Sequence, residues 1–301
     1  MTATAARSRS ARRARWVATG LTAPSWLLLL ALFAIPIGIG IWLSFRNEAL
    51  NSFAEPKFVG LDNYQRMVTE PTSGELIDAA VVTVIIMGLG LAIQLPIGVG
   101  LAVLLNRQLR FSRWYRSALL IPMLLTPVAV GLMWRFMLDT DTGVINWLLE
   151  RVGLFGPDWL GSRWGARVAV VLVDSWQSIP FVMLLILAGL AGIPDGPDEA
   201  ARVDGASSWQ IFRRVTLPQL KPVLYVVLMI RVIDTFKLFD TIFILTRGGP
   251  GTATQTLAMY NYSLGFVLLK TSQAAALGTV LAIITLPVYF LWQRASRAVE
   301  T

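Results

Sequence analysis

Four ionisable residues follow one another at a spacing of three in an apolar stretch of the chain: Arg231, Asp234, Lys237 and Asp240. Ionisable groups in apolar surroundings are costly unless they are paired, so residues of this kind indicate a functional site. Neighbours three apart on a helix lie close together, which predicts the pairs Arg231–Asp234 and Lys237–Asp240. Two interpretations stay open: the charges neutralise one another within the helix, or some of them line a polar path.

Polar and aromatic residues of other apolar stretches are candidates for the same path: Arg135, Asp174 and Gln177, with Trp176 as an apolar platform for a ring. Enzyme chemistry has little support. The chain has no cysteine and no histidine, which excludes thiol nucleophiles, Cys/His zinc sites and histidine acid–base catalysis. Neither a paired catalytic arrangement nor a GxxxxGK[ST] phosphate loop is present in the sequence, so this chain is not an ATPase.

Composition indicates an all-α membrane protein. Of the 301 residues, 55% are hydrophobic and only 15% are charged, and the mean hydropathy is +0.62. The chain has six candidate spans, which must be helical because lipid cannot satisfy the backbone hydrogen bonds. They are about Trp16–Phe45, Leu76–Leu105, Trp114–Leu138, Ala166–Leu190, Val223–Thr246 and Gln273–Trp292. The predicted organisation is a basic tail, 1–15, and a six-helix domain, 16–301, with a core at about 76–293.

The order of the charges predicts the orientation. The net charge is +8, and the basic residues cluster at the edges of the apolar runs. With both termini in the cytoplasm, the inner side carries Arg7, Arg9, Arg12, Arg13, Arg15, Arg107, Arg110, Arg113, Arg116, Arg202, Arg213, Arg214, Lys221, Arg294 and Arg297. The outer loops carry fewer, so the positive-inside rule places both termini inside. This distribution favours a membrane surface over a nucleic-acid partner.

The inner loop 191–222 contains the signals of two short helices. Pro197 and Asp198 suit a helix start, and Gly205 suits a left-handed end. Ser207 and Gln210 have the spacing of a capping box that starts a second helix, which Pro218 is expected to end. Two interpretations of this exposed segment stay open, namely contact with anionic lipid or docking into the groove of a partner protein.

The stretch EAARVDGASSWQIFRRVTLP, residues 199–218, resembles the EAA motif of ABC importer permeases: Glu-Ala-Ala, three residues, Gly, nine residues, then Ile-x-Leu-Pro. Val215 stands where isoleucine is usual. FVGLDNYQRM, LLIPMLLTPVAVGLMWRFML, DSWQSIPFVMLLILAGLAGIP and DTFKLFDTIFILTRGGPGTATQTL are similar to the carbohydrate-uptake branch of that family, of maltose, trehalose and glycerol-phosphate type. The resemblance covers nearly the whole chain apart from the basic tail.

The resemblance implies a type I ABC importer permease fold with six transmembrane helices, and a subunit that forms half of a translocation path by alternating access. It implies these partners: a second homologous permease, two cytoplasmic ATPase subunits that bind ATP and Mg, an extracytoplasmic substrate-binding (lipo)protein, a sugar-like substrate and membrane lipid. This chain itself would hold no cofactor and no metal. ATPase coupling would involve Glu199, Ala200, Ala201, Asp204, Gly205, Leu217 and Pro218.

Location in a bacterial or archaeal cytoplasmic membrane follows from the same resemblance. Two other functions compete with the importer. An ion-coupled secondary transporter or channel would use Asp234 or Asp240 as its intramembrane carboxylate and would move solute without partners. A membrane-embedded enzyme would have to depend on carboxylates or serine.

Overall fold

A computed structural model describes residues 19–49, 55–69, 73–106, 112–194 and 196–297, with the side chains of 73, 112–113 and 288–297 left undescribed. The helices are α1 Thr19–Ser44, α2 Asp62–Thr69, α3 Ser73–Asn106, α4 Ser112–Leu124, α5 Pro127–Met137, α6 Val144–Arg151, α7 Arg163–Ala191, α8 Gly196–Val203, α9 Ser208–Phe236, α10 Asp240–Leu245, α11 Leu257–Tyr262 and α12 Thr271–Arg297. π-Helical turns lie in α1 at Leu30–Ala34, in α9 at Phe212–Thr216 and after α11 at Ser263–Val267.

The helical class is confirmed, but the spans differ in detail from the six predicted. Four helices of the described residues are long and apolar enough to cross a membrane: Thr19–Ser44, Gly74–Asn106, Arg163–Ala191 and Ser208–Phe236. The third predicted span is broken, since α4 and α5 meet at an angle of 95°; counted as one span, they give a fifth. Thr271–Pro287 of α12 is a shorter apolar helix. The tail 1–15 and Arg107 and Arg110 lie outside the described residues.

The contacts divide the chain into two units. One comprises 1–69 and 264–280. In it, strands β1 (Arg46–Asn47) and β2 (Lys57–Phe58) pair antiparallel, with Arg46 opposite Phe58. The buried Asn63 of α2 donates from Nδ2 to the carbonyls of Ser44, 2.8 Å, and Arg46, 2.7 Å. The stretch FVGLDNYQRM therefore ties the end of α1 to a small hairpin.

The other unit, 70–263 with 281–301, contains two buried apolar clusters. One centres on α3, α5, α7 and α10, and includes Ile86, Val130, Val173 and Ile242. The second joins α3, α7 and α9, and includes Ala102, Met183, Leu220 and Val227. Helices α3 and α7 approach closely where Gly98 faces Val182, because a Cβ at Gly98 would collide with the Val182 side chain.

The break in the third predicted span has a local cause. Thr126 precedes Pro127, and the proline ring disfavours a helical conformation at the residue before it. Thr126 is accordingly extended, with φ −68° and ψ 141°. The carbonyl of Leu125 is left without a helical partner, and Gln177 Nε2 of α7 donates to it at 2.9 Å. A backbone group that lipid cannot satisfy is thus satisfied by a neighbouring helix.

Candidate functional site

The inner loop folds as two short helices joined by a tight turn. At the end of α8 the amide of Ala206 donates to the carbonyl of Ala201, 3.0 Å, and that of Gly205 to Arg202, 3.1 Å. These two bonds define a Schellman end, which requires a left-handed residue at Gly205. Its φ is +78°, as the sequence predicted. Among the described residues, no atom other than those of its chain neighbours lies within 4 Å of the position where a Cβ at Gly205 would stand.

The second helix starts as predicted but does not end as predicted. The Ser207 side chain accepts from the Gln210 amide and the Gln210 side chain accepts from the Ser207 amide, so the capping box is complete. The expectation that Pro218 ends this helix is wrong. The chain passes through the π-helical turn, in which the Leu217 amide donates to the Phe212 carbonyl. This wider turn places Pro218 in the first turn of the following α-helical segment, where its missing N–H is tolerated.

We call Gly196–Pro218, which comprises α8, the tight turn and the start of α9, the coupling segment. Its second helix and the fifth span are consequently parts of one helix, α9. Helix α9 runs without interruption for 29 residues, from Ser208 to Phe236. At 1.5 Å per residue, its length is about 43 Å. Trp209 lies near one end of this helix, and Arg231 and Asp234 lie near the other.

The coupling segment presents charged and apolar groups together. Glu199, Ala200, Asp204 and Pro218 are exposed, while Ala201 and Leu217 are half-buried. Val203 and Trp209 are 88% and 66% exposed, although both are large and apolar. Exposed apolar side chains near exposed carboxylates, here those of Glu199 and Asp204, are typical of a surface that a partner protein covers.

At the other end of α9, Arg231 joins three helices through buried polar contacts. Its Nη2 lies 2.9 Å from Asp174 Oδ2 of α7, and its Nε donates to Gln94 Oε1 of α3 at 3.0 Å. Gln94 Nε2 in turn donates to Asp174 Oδ2 at 2.7 Å. Gln94 has no solvent exposure, and Arg231 and Asp174 are 5% and 7% exposed. We call Gln94, Asp174 and Arg231 the polar clamp.

The predicted pairing along α9 is correct for one pair and wrong for the other. Arg231 Nη1 lies 3.8 Å from Asp234 Oδ2, a longer contact than the one to Asp174. Lys237 Nζ pairs with Asp234 Oδ1 at 4.0 Å instead of with Asp240. The helix ends at Phe236, and Asp240 starts α10 beyond the break, so the predicted i,i+3 relation between Lys237 and Asp240 does not exist. Asp234, Lys237 and Asp240 are exposed.

The remaining candidates for the path have structural contacts. Gln177 donates to the Leu125 carbonyl at the break in the third predicted span, as described above. Arg135 Nη1 of α5 donates to the Ile244 carbonyl of α10 at 3.2 Å. The Trp176 ring packs edge-on against Trp134, with their centroids 5.7 Å apart. Asp174 belongs to the polar clamp, and Ser178 donates to its Oδ1 at 3.4 Å.

Gln94 of the polar clamp was not among the predicted candidates, although the sequence contains a signal for it. Gln94 is a lone amide in the apolar run of α3, a group of the same kind as Gln177, which was a candidate. A polar side chain inside a span normally faces the bundle and finds a partner there. Thr235, whose hydroxyl lies 3.3 Å from Arg231 Nη2, was likewise not among the predicted candidates.

Comparison with known proteins shows what kind of chain this is. The family model described as binding-protein-dependent transport system inner membrane component matches residues 94–301. The chain belongs to this family. The permease is 35% identical over 241 residues to the trehalose/maltose transport system permease protein MalF of Thermococcus litoralis, with 79% of this chain and 80% of the relative covered. It is also 35% identical over 283 residues to the sulfoquinovosyl glycerol transport system permease protein SmoG of Agrobacterium fabrum, with 94% and 91% covered.

A solved structure shares the permease's fold. It is the crystal structure of a bacterial ABC transporter involved in the import of the acidic polysaccharide alginate, with a TM-score of 0.82 at 24% identity, covering 98% of this chain and 100% of that one. The predicted family and the type I ABC importer permease fold are confirmed. The permease is a multi-pass membrane protein and a transport component.

Proposed function

We propose that the permease is a subunit of an ATP-driven, binding-protein-dependent importer for a sugar or a related solute. The curated relatives named for trehalose, maltose and sulfoquinovosyl glycerol support the substrate class. The observation that carries the proposal is the coupling segment: an exposed two-helix surface that continues directly into a membrane helix. Such a surface gives a motor protein a rigid element on which to act.

The partners follow from that role. The permease pairs with a second, homologous permease, and two cytoplasmic ATPase subunits supply the ATP and Mg²⁺ sites. An extracytoplasmic binding protein delivers the solute. The alginate transporter, which shares the fold, was solved in complex with a substrate-bound periplasmic protein, and this supports that part of the proposal. The complex lies in a bacterial or archaeal cytoplasmic membrane, with both termini of the permease in the cytoplasm, as the distribution of basic residues favours.

Coupling proceeds by alternating access. Nucleotide binding closes the ATPase pair and moves the coupling segment, and α9 carries the movement into the membrane. Glu199 offers an exposed acceptor to an arginine of the ATPase, and Ala200 allows a close approach. Ala201 and Gly205 hold the turn, while Leu217 and Pro218 join it to the span. Hydrolysis returns the path to its inward-open state.

The solute path passes the exposed end of α9. Asp234, Lys237 and Asp240 are its polar candidates, because their side chains are exposed and can bind hydroxyl groups. The remaining candidates support the wall of the path through the structural contacts described above. They are Arg135, Trp176, Gln177 and Asp174. The ion-coupled alternative is not favoured. Asp234 lies between Arg231 and Lys237, so its charge is balanced within the chain.

The test is coupled transport in the reconstituted complex. We expect Glu199→Ala and Gly205→Pro to retain some assembly but to uncouple ATP hydrolysis from uptake. Glu150→Ala, which removes an exposed carboxylate from α6, is the matched control and leaves coupling intact. Normal ATP-dependent uptake in Gly205→Pro contradicts the proposed role of the segment. Gradient-driven uptake by the isolated chain in liposomes would support the ion-coupled alternative instead.

A further inference from the structure

The fifth span has few fixed points of contact. Within the α-helical part of α9, Leu217–Phe236, the buried residues are Leu220, Val227, Arg231 and Thr235. They form one narrow stripe along the helix, because their spacings are seven and four residues. The two residues nearer the coupling segment are apolar, and the two at the far end are polar. The stripe therefore changes its chemistry along the helix.

This difference in chemistry affects how the helix can move. Apolar contacts are non-directional, so Leu220 and Val227, although buried among residues of α3 and α7, can repack in a shifted arrangement. Charge-assisted hydrogen bonds are directional and exist only in discrete arrangements. Arg231 makes such bonds to two different helices, with Asp174 of α7 and Gln94 of α3. The far end of α9 is thus held in one arrangement by directional bonds, whereas the apolar contacts of the near end can re-form after a small tilt.

The polar clamp lies much closer to one end of α9 than to the other, so a tilt about it would move the two ends by different distances. Trp209 lies 22 residues before Arg231, and Phe236 lies five residues after it. At 1.5 Å per residue the two arms are about 33 Å and about 8 Å. A tilt about Arg231 therefore converts a large displacement of the coupling segment into a smaller one at Asp234 and Phe236. Arg231 also reaches Asp234, so the fixed point contacts the exposed end directly.

We propose that Gln94, Asp174 and Arg231 are positioning residues that form the pivot of the fifth span, about which α9 tilts when the ATPase moves the coupling segment. The proposal rests on the proposed function and goes beyond it, since it assigns the clamp a mechanical role that simple charge neutralisation lacks. A neutral structural pair could be replaced by apolar residues without loss of function. A pivot cannot, because apolar contacts give no fixed point.

The test uses the complete complex with its ATPase subunits. The chain has no native cysteine, so Phe236→Cys places a single reporter in it at the end of α9. The measurement is the rate at which a water-soluble maleimide labels this cysteine, without nucleotide and with ATP plus vanadate. In the chain with Phe236→Cys alone, we expect ATP plus vanadate to change the labelling rate by about fivefold or more. This is the lower range of measured allosteric couplings. Adding Asp174→Leu with Arg231→Met should reduce that change to less than about twofold.

The controls separate a pivot from a structural contact. Val227→Ala alters the apolar part of the stripe, and we expect the nucleotide-dependent change to persist in it. If the apolar double variant assembles, traps vanadate and keeps the full change in labelling, the pivot is overturned. Should that variant fail to assemble, Gln94→Leu removes only the contacts to α3, and an undiminished change in it overturns the pivot equally.

Failure of the pivot is distinguishable from failure of the proposed function. In a chain that no ATPase drives, the Phe236→Cys reporter would show no nucleotide-dependent change even with the clamp intact. If the nucleotide-dependent change in labelling rate is equal in the reporter chain and in the apolar double variant, the importer function is still supported. Only the pivot is then contradicted. Restoration of the change by Asp174→Glu with Arg231→Lys, which keeps both charges, would support the polar contact as its source.

Discussion

The coupling segment and the polar clamp lie on the same helix but are built in opposite ways. Among the described residues, the hydrogen bonds that shape the coupling segment join residues at most five positions apart, such as Ala206 to Ala201. The clamp joins residues 80 and 137 positions apart. Most of the segment is exposed, whereas the clamp is buried. Local bonds can form a surface before any partner arrives, whereas the clamp exists only when three helices have packed.

The difference predicts how each region responds to substitution. Changes in the coupling segment should alter coupling while the helices stay packed. Changes near the clamp should alter the packing of the helices first. The four variants below test this contrast, starting with the largest expected effect.

Gly98→Ala should have the largest effect, because it acts on the packing that forms the clamp. Gly98 lies one turn beyond Gln94 on α3, and a Cβ there would collide with Val182 of α7. Overpacking of this kind costs about 1–3 kcal/mol. We expect a lower thermal midpoint of the purified complex and reduced transport. The control is Gly100→Ala on the same helix, where a Cβ meets no atom within 4 Å. Equal midpoints for both variants would contradict the close approach of α3 and α7.

The sequence predicted the coupling segment better than the polar clamp, for physical reasons. Gly205 and the Ser207–Gln210 capping box were found because helix ends are encoded within a few residues. The effect of Pro218 was misjudged, since a π-helical turn that accommodates a proline has no comparable signal. The clamp was only partly found: Asp174 and Arg231 were noted as ionisable, but nothing local indicates that two residues 57 positions apart will pair. The 95° break lies beside Pro122 and Pro127, residues that favour a kink, but a proline does not determine the size of the angle.

Gly205→Ala should have the next largest effect and should act on coupling alone. Since no atom lies near the position of a Cβ, its cost comes only from the positive φ of +78°. For an ordinary residue this conformation costs about 1–2 kcal/mol. Asn tolerates it better, so the affinity of the permease for its ATPase subunits should decrease from Gly205 through Asn to Ala. Gly196→Ala, at the start of α8, is the control. An Asn variant weaker than the Ala variant would show that conformation is not the cause.

Ser207→Ala should have a smaller effect, confined to the start of α9. It removes the acceptor for the Gln210 amide but leaves the Gln210 side chain able to accept from the amide of residue 207. Loss of a cap costs about 1 kcal/mol, or a factor of about five in local opening. Hydrogen exchange of the Gln210 amide should accelerate by about that factor. Exchange at Thr235, near the clamp, should not change, and acceleration there would show that the two regions are not independent.

Asp139→Asn should have the smallest effect and extends the contrast to an exposed turn after α5. Asp139 Oδ1 accepts from the amide of Thr142 at 2.9 Å, from its hydroxyl at 2.8 Å and from the amide of Asp141 at 3.2 Å. The Thr142 amide, followed by the Thr142 hydroxyl, lowers the pKa of Asp139 below its ordinary value of 3.8. A lowered pKa means that the carboxylate stabilises the turn above pH 3.8, and that this stabilisation is lost as the pH falls through the folded value.

The measurement for Asp139→Asn is the thermal midpoint of the complex as a function of pH, beside Asp141→Asn, which removes the same charge from the same turn. The advantage of the native chain over Asp139→Asn should be constant above pH 3.8 and should shrink only below it. An advantage that shrinks well above 3.8 would mean that the pKa of Asp139 is raised. Because all three bonds come from residues two and three positions away, this turn should behave like the coupling segment: changes in it should leave the exchange rates around the clamp unaltered.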